Sequence, residues 1–128
     1  MTIKQILDAK PSLIKLNKIR FSDFKIVSKV YKLSKNIDSA LELANAEQDK
    51  IIQTYVKKDE NGNLVITNNQ YQFATEQDRL NFINEIEKLR NQEIEELNKI
   101  DIPTEKVQLV NDFSAEDMLL LDSIINWI

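Results

Sequence analysis

Neither cysteine nor histidine occurs among the 128 residues of the chain, and each absence excludes a set of chemistries. Without cysteine there is no disulfide, no thiolate nucleophile, no iron–sulfur cluster and no cysteine-ligated zinc. Without histidine the chain lacks the usual general base at neutral pH and the commonest transition-metal ligand. A carboxylate enzyme that uses magnesium is the least favoured of the function classes left open. The sequence therefore predicts a non-enzymatic protein with no catalytic residue, no cofactor and no metal site.

Turn residues are also scarce, because the chain contains one glycine, Gly62, and two prolines, Pro11 and Pro103. An all-β sandwich or barrel needs many more turn residues, so helices are expected to dominate. No apolar run approaches the roughly 18 residues of a membrane span, and no membrane partner is expected. The first residues, MTIKQILDAKPSL, lack the continuous apolar core of a secretory signal, which favours a cytoplasmic protein. A content of 42% hydrophobic and 30% charged residues is typical of one soluble globular domain.

Charge is distributed unevenly along the chain. Residues 1–58 contain 12 Lys+Arg against 6 Asp+Glu, whereas residues 59–128 contain 5 against 15. Four lysines of the basic part recur at three- and four-residue spacing: Lys25, Lys29, Lys32 and Lys35. One helical face could therefore follow the phosphates of a nucleic acid. The favoured alternative is a solvated surface that faces the acidic half of the molecule, because few aromatic residues accompany the lysines and the net charge is −4.

Two helical segments are predicted in the first half of the chain. Residues 1–20 form a short N-terminal segment that Pro11 interrupts, so that either one helix ends near Asp8 or a second begins with Pro11 in its first turn. Residues 23–57 form one long helix with Ser22 as its N-cap. Side chains at alternating three- and four-residue spacing make one seam along this helix. The seam consists of Val27, Val30, Ser34, Ile37, Leu41, Ala44, Gln48, Ile51 and Tyr55, and it is widened by Ile26, Leu33 and Ala40.

A second long helix is predicted over residues 75–98, where Thr75 and Asp78 have the spacing of a capping box. Its seam contains Leu80, Ile83, Ile86, Leu89 or Arg90, Ile94 and Leu97. Its outer face is acidic, with Glu87, Glu93, Glu95 and Glu96. Because the first long helix is basic, we expect the two to pair as an antiparallel helical hairpin. Apolar burial should stabilise this pair, since surface ion pairs contribute only about 0.2–1 kcal/mol each.

Residues that favour β-structure occur in two places. Residues 63–73 contain NLVI and QYQF on either side of TNN, which is typical of a short β-hairpin with an asparagine turn. Residues 99–110 begin with KIDIP and form a strand or connector, a candidate third strand beside the hairpin. The chain closes with residues 114–128, where Ser114 and Asp117 have capping-box spacing. This segment is predicted as a helix that is apolar nearly all round.

The sequence DENGN, which precedes the predicted hairpin, resembles the start of a calcium-binding loop. Its glycine is the fourth residue instead of the sixth, and Gln70 occupies the position of the bidentate glutamate. We therefore expect a turn, in which Gly62 provides the positive φ that ends the long helix and starts a strand. The glutamates of the acidic helix are expected to be a solvated face and not a magnesium site.

These elements together predict a mostly α-helical α+β fold. It comprises a long antiparallel helical hairpin, a small β-hairpin or three-stranded sheet, and an apolar C-terminal helix. The function favoured by this architecture is protein–protein interaction, with self-association or one protein partner. The candidate contact residues lie at the hairpin tip and at the chain end: Leu64, Ile66, Tyr71, Phe73, Trp127 and Ile128.

The order of the segments also carries a resemblance. The segments are, in order, a lysine-rich N-terminal helix, a long helix ending KIIQTYVKKDENGNLVI, an acidic helix, an IDIP segment and a closing FSAEDMLLLDSII. In this order the chain resembles a group of short accessory proteins encoded by tailed phages and prophages. The resemblance covers most of the chain. That group has no assigned activity, so no functional residue is carried over. The resemblance implies an accessory role in virion assembly or on a host protein, with the protein in the host cytoplasm or in the virion.

Overall fold

A computed structural model of the chain describes residues 1–94, 97–108, 110 and 112–128, and within these ranges the protein is mostly helical. The α-helices are α1 (Ile3–Asn17), α2 (Phe24–Tyr55), α3 (Glu76–Arg90) and α4 (Ala115–Leu120). The strands are β1 (Ile66–Thr67), β2 (Gln70–Tyr71), β3 (Ile100–Ile102) and β4 (Ile125–Trp127), and a 3₁₀ turn spans Thr104–Lys106. β1 pairs with β2, and β3 pairs with β4. In the part of the chain so described, no helix combines the length and apolar character that a membrane span requires.

The chain divides into two compact units. The first unit contains Met1–Leu41 and Glu93–Ile128, and the second contains Glu42–Gln92. Helix α2 begins in the first unit and ends in the second.

Helix α1 continues through Pro11, which corrects the predicted interruption. A proline inside a helix removes one hydrogen bond, at a cost of about 3 kcal/mol. Apolar side chains on both sides of Pro11 offset this cost, because they are buried in the main core cluster. They are Ile6, Ala9, Leu13 and Leu16. At the start of the helix, the side chains of Thr2 and Gln5 form a capping box.

Helix α2 begins one residue later than its predicted cap implies. Asp23 directly precedes the first helical residue, and its carboxylate accepts a hydrogen bond from the Lys25 backbone N–H at 2.9 Å. Asp23 therefore caps this helix in place of the predicted Ser22.

The buried face of the first half of α2 agrees with the predicted seam and the residues that widen it, except at Val27. It consists of Ile26, Val30, Leu33 and Ile37. Val27 was assigned to the seam, but 39% of its surface is exposed. On the partner helix, the Asn17 amide of α1 donates to the Ser34 hydroxyl at 2.9 Å. Lys10, earlier in α1, pairs with Asp38, later in α2, so the two segments run antiparallel.

The predicted C-terminal helix over 114–128 is much shorter in the structure. Helix α4 ends at Leu120, and the last residues form β4, which lies parallel to β3 with Ile100 opposite Ile125. The candidate third strand thus joins the chain end and not the β1–β2 hairpin. This pairing satisfies the backbone of β3 and buries Ile102 and Ile125 completely. The capping box between Ser114 and Asp117 is present at the start of α4, as predicted.

The predicted second long helix is also shorter, since α3 ends at Arg90 and not near residue 98. Residues 93 and 94 are extended instead of helical. Glu93 forms an isolated antiparallel β-bridge with Thr2, and the Ile94 N–H donates to the Met1 carbonyl at 2.7 Å. This extended course brings Ile94 against the core of the first unit. Glu95 and Glu96, two members of the predicted acidic face, lie outside the described residues.

The inward face of α3 differs from its predicted seam as well. Leu89 is buried and Ile86 is half-buried, as the seam requires. Leu80 and Ile83, however, are 43% and 38% exposed. Phe82, which is not part of the predicted seam, packs against the aromatic rings of the hairpin. This contact sets the rotation of α3 about its own axis.

Candidate functional site

The predicted β-hairpin over residues 63–73 occurs as two-residue strands in the second unit. Ile66 lies opposite Tyr71 in antiparallel register. The connecting residues Asn68 and Asn69 have φ values of 51° and 62°. Two successive positive φ angles are the signature of a tight hairpin turn whose twist matches that of the strands, and asparagine tolerates them better than most residues.

The residues that follow α2 hold the hairpin at its base. The Lys57 N–H donates to the Gln72 carbonyl, and the Val65 N–H donates to the Lys57 carbonyl, both at 2.8 Å. The Gln72 N–H donates in turn to the Val65 carbonyl at 3.0 Å. A two-stranded hairpin alone is marginally stable in water, so these bonds from a third segment give it support.

The DENGN segment forms the turn that leads into the hairpin. One carboxylate oxygen of Asp59 accepts hydrogen bonds from the backbone N–H groups of Asn61 and Asn63, at 2.9 and 3.0 Å. Gly62 has a φ of 78°, which glycine adopts without strain. Because α2 ends at Tyr55, Gly62 shapes this turn and does not terminate the helix as predicted. The Asp59 carboxylate thus has a structural role, that of an Asx turn.

The four hairpin residues predicted to contact a partner differ in exposure. Ile66 is 56% exposed and Tyr71 is 37% exposed, whereas Leu64 and Phe73 are half-buried. Phe73 and Tyr71 both pack on Phe82 of α3, with ring centroids 5.2 and 6.1 Å apart. Ile66 and Tyr71 therefore form a small apolar surface on a braced support, and we call this pair the hairpin surface.

The two chain-end residues predicted as contacts belong to the first unit. Trp127 is half-buried, and its indole N–H donates to the Met118 carbonyl at 3.0 Å. Its ring lies 6.0 Å from that of Phe113 in an edge-on arrangement. Trp127 thus fastens β4 to α4, while Ile128 is 69% exposed.

The first unit also contains a buried carboxylate whose partners the sequence did not indicate. Asp117 is 5% exposed, and its Oδ1 accepts a hydrogen bond from the buried Ser12 hydroxyl of α1 at 2.7 Å. Its Oδ2 accepts bonds from the Ser114 backbone N–H at 2.9 Å and from the Lys15 ammonium at 3.2 Å. The capping-box spacing identified Asp117 as a helix cap, but only the packing of α1 on α4 brings Ser12 and Lys15 to it.

The environment of Asp117 lowers its pKa. Burial by itself would raise the pKa of this carboxyl, because it disfavours the charged form. Hydrogen bonds from the Ser114 backbone, the Ser12 hydroxyl and the Lys15 ammonium outweigh burial and lower the pKa from 3.8 to about 2. Asp117 is therefore ionised at neutral pH and links α1 to α4.

A cleft of about 570 Å³ lies beside this carboxylate. The last turn of α1 forms one wall with Lys15 and Lys18, and the segment before α4 forms the other with Phe113 and Ser114. The volume falls in the range of small-molecule sites. Lys15 and Ser114 already bind Asp117, whereas Lys18 and Asp112 are the other charged residues that line the cleft.

The predicted nucleic-acid lysines all lie on α2 in the first unit and are all exposed: Lys25, Lys29, Lys32 and Lys35. Aromatic side chains lie on the same helix, whereas few of them were expected beside the lysines from the sequence. Phe24 is 80% exposed and Tyr31 is 64% exposed, and both lie on the same helix. The structure therefore brings together lysines and solvent-exposed rings, a combination that lysine spacing alone does not indicate.

Within the described residues, no cluster of three or more metal-ligating side chains occurs. The chain matches no protein-family model, and comparisons with curated proteins and with solved structures find no significant similarity.

Proposed function

We propose that the chain is a non-enzymatic protein-interaction module, a phage accessory protein that acts in virion assembly or on a host protein. The observation that carries this proposal is the exposure of Ile66 and Tyr71 on a hairpin braced by backbone hydrogen bonds and by Phe82. The resemblance to phage accessory proteins supports the biological setting. The lack of cysteine and histidine supports a role other than catalysis.

The physical argument rests on preorganisation. A rigid surface loses little conformational entropy when a partner binds, so more of the apolar contact energy remains as affinity. Aromatic residues in a braced setting are typical anchors of protein interfaces. Tyr71 meets this description, since its ring already packs edge-on against Phe82. Ile128, exposed in the first unit, is a further proposed contact residue.

The helical hairpin belongs to the same proposal. We propose that α3 packs antiparallel to the second half of α2 and so supports the β-hairpin. Support comes from the burial of Ile52 and Val56 near the end of α2 and of Leu89 on α3, which need an apolar partner within their unit.

The first prediction concerns the hairpin surface. Ile66→Ser and Tyr71→Ser should each weaken self-association or partner binding about tenfold, because each removes apolar area worth about 1.4 kcal/mol at an interface. Light scattering after size-exclusion chromatography over a concentration series measures self-association. Capture by the tagged protein from phage-infected lysate measures partner binding. Leu119→Ser is the control, since Leu119 is 74% exposed and lies in the other unit. A wild-type protein that stays monomeric and captures nothing would contradict the proposal.

A second proposed function, nucleic-acid binding by a regulatory protein, is favoured by one observation. Residues 24–37 of α2 contain four exposed lysines and no acidic residue. Phosphate contacts by lysine release counterions, so the affinity depends on salt with a slope that reports the number of contacts.

The second prediction tests these lysines as a group. With four phosphate contacts on a single strand, affinity should fall roughly 50-fold between 50 and 200 mM salt. Replacing the four lysines by glutamine, which keeps helix propensity, should abolish most of this dependence. Fluorescence anisotropy of labelled oligonucleotides measures both effects. The control replaces four other exposed lysines, which changes the net charge equally: Lys4, Lys57, Lys99 and Lys106. Equal losses in the two variants would show that net charge, and not this face, causes binding.

A further inference from the structure

The first half of α2 has three distinct faces. One face is buried in the core through Ile26, Val30, Leu33 and Ile37. A second face carries Lys25, Lys29 and Lys32, which recur at four- and three-residue spacing and therefore line up. A third face carries Phe24, Val27 and Tyr31, again at three- and four-residue spacing. This third face, the aromatic row, is offset by one residue from the lysine row, which is about 100° around the helix axis.

The aromatic row has no role in the core of its own unit. Phe24 leaves 80% of its surface in water, and Tyr31 leaves 64%. Phenylalanine and tyrosine gain more from burial than most side chains, so two rings left open on one helix face indicate an interaction surface. The core beside them is complete without them, because Ile26 and Val30 fill it from the neighbouring face.

The charge around the rings determines which partner fits. Four lysines and no acidic residue occur between Phe24 and Ile37, and Lys35 lies one turn beyond Tyr31 on the aromatic row itself. Within the described part of the chain, none of the four lysines forms an ion pair with a carboxylate. A partner that covers this surface must therefore be anionic and must also offer flat apolar faces to the rings.

We propose that this surface binds single-stranded nucleic acid, with bases stacked on Phe24 and Tyr31 and phosphates held by the lysine row. The inference rests on the second proposed function and names the form of nucleic acid that it selects. Unpaired bases expose the flat faces on which aromatic side chains stack, and the backbone beside them carries the charge that lysines neutralise. In a duplex the base faces are stacked on one another, so the two rings would gain nothing there while the lysines would still contact phosphates.

The spacing of the rings is compatible with this arrangement. Phe24 and Tyr31 are seven residues apart, which is about 10 Å along a helix. The Tyr31 hydroxyl is the one hydrogen-bonding group on these two rings that could read a base edge. Binding through stacking is therefore expected to be tolerant of base sequence, as at other stacking surfaces.

The third prediction tests the role of the rings. Fluorescence anisotropy at 50 mM salt compares labelled 20-nucleotide oligo-dT, oligo-U and a 20-base-pair DNA duplex. Phe24→Ala and Tyr31→Ala should each weaken binding to the single strands about five- to tenfold, at the lower end of measured stacking contributions, and leave duplex binding unchanged. Tyr31→Phe keeps the ring and should retain single-strand binding. Leu119→Ala, which removes an exposed apolar side chain elsewhere in the same unit, is the control.

The outcomes separate the inference from the function on which it rests. If the wild-type protein binds neither the single strands nor the duplex, nucleic-acid binding itself is refuted. If it binds and the two alanine variants match the wild type on oligo-dT and oligo-U, the lysines act without the rings and the single-strand inference is refuted. Vesicles containing phosphatidylserine form a further arm, and ring-dependent binding to them that exceeds binding to the oligonucleotides would assign the surface to membranes instead. A larger effect on oligo-U than on oligo-dT would support the inference and identify the strand as RNA.

Discussion

Replacing Ile125 by alanine should lower the free energy of unfolding by about 2–5 kcal/mol, the range measured for large-to-small changes in closed cores. Ile125 is fully buried, lies in β4 opposite Ile100 of β3, and belongs to the main core cluster of the first unit. Its removal leaves a cavity in the core against the face of the β3–β4 pair, which the strands cannot close because backbone hydrogen bonds fix their register. Chemical denaturation followed by tryptophan fluorescence measures the change, and Trp127, the single tryptophan of the chain, lies two residues away.

A matched control lies in the same segment. Ile128→Ala removes the same atoms from a side chain that is 69% exposed, and its effect should stay within about 0.5 kcal/mol. If both variants lose equal stability, then the last residues do not form the buried strand described here. Equal losses would be expected if residues 121–128 formed a helix.

Replacing Asp117 by asparagine should cost about 2 kcal/mol of folding free energy at neutral pH, because neutral hydrogen bonds replace charge-assisted ones. Both carboxylate oxygens accept hydrogen bonds, from Ser12 on one side and from the Ser114 N–H on the other. An amide can still accept from the Ser114 N–H and donate to the Ser12 hydroxyl, which rotates to accept, so the expected loss comes from replacing charge-assisted hydrogen bonds by weaker neutral ones. The half-exposed Lys15 contributes less, because solvent screens its charge.

The same carboxylate predicts how stability depends on pH. Its pKa is lowered in the folded state, from 3.8 to about 2, so its stabilisation is fully present above the unfolded pKa and is lost as pH falls through the folded pKa. Stability should therefore decrease by about 2 kcal/mol between roughly pH 5 and pH 2 from this group alone. In the Asp117→Asn variant, this part of the acid dependence should be absent. Denaturation midpoints measured at several pH values provide the comparison.

The control for Asp117 is Asp122→Asn, at an exposed carboxylate just beyond α4. This variant should keep both the neutral stability and the acid dependence of the wild type. An Asp117→Asn protein with the stability and pH profile of the control would show that the charge of Asp117 contributes nothing to the fold.

Local signals in the sequence identified several elements correctly. The long helix predicted over 23–57 agrees closely with α2, and the capping-box spacing of Ser114 and Asp117 marks the start of α4. The Thr75 hydroxyl accepts a bond from the Asp78 N–H at the start of α3, as its spacing predicts. The asparagines between the hairpin strands adopt the positive φ angles that a tight turn requires. Each of these features depends on residues at most a few positions apart.

The candidate surfaces were only partly predictable. The sequence identified the lysines of α2 by their spacing, and the structure places all of them in solvent. It could not identify Phe24 and Tyr31 as exposed, because an aromatic residue on a helix is more often part of the core. The exposure of these two residues depends on which face of α2 is covered by α1, and the antiparallel contact of Asn17 with Ser34 sets that face of α2.

By itself, the sequence determined several local features of this protein: the caps of α3 and α4, the course of α2, the asparagine turn, and the chemistries excluded by the lack of cysteine and histidine. Tertiary structure alone decided where α3 ends, that residues 125–127 form a strand, and that Asp117 meets Ser12 from 105 positions away. The physical reason is that a backbone N–H or C=O is satisfied equally well within a helix or by a distant strand. Apolar burial against remote residues then selects between the two, and here it brings Ile94, Ile102 and Ile125 to one core.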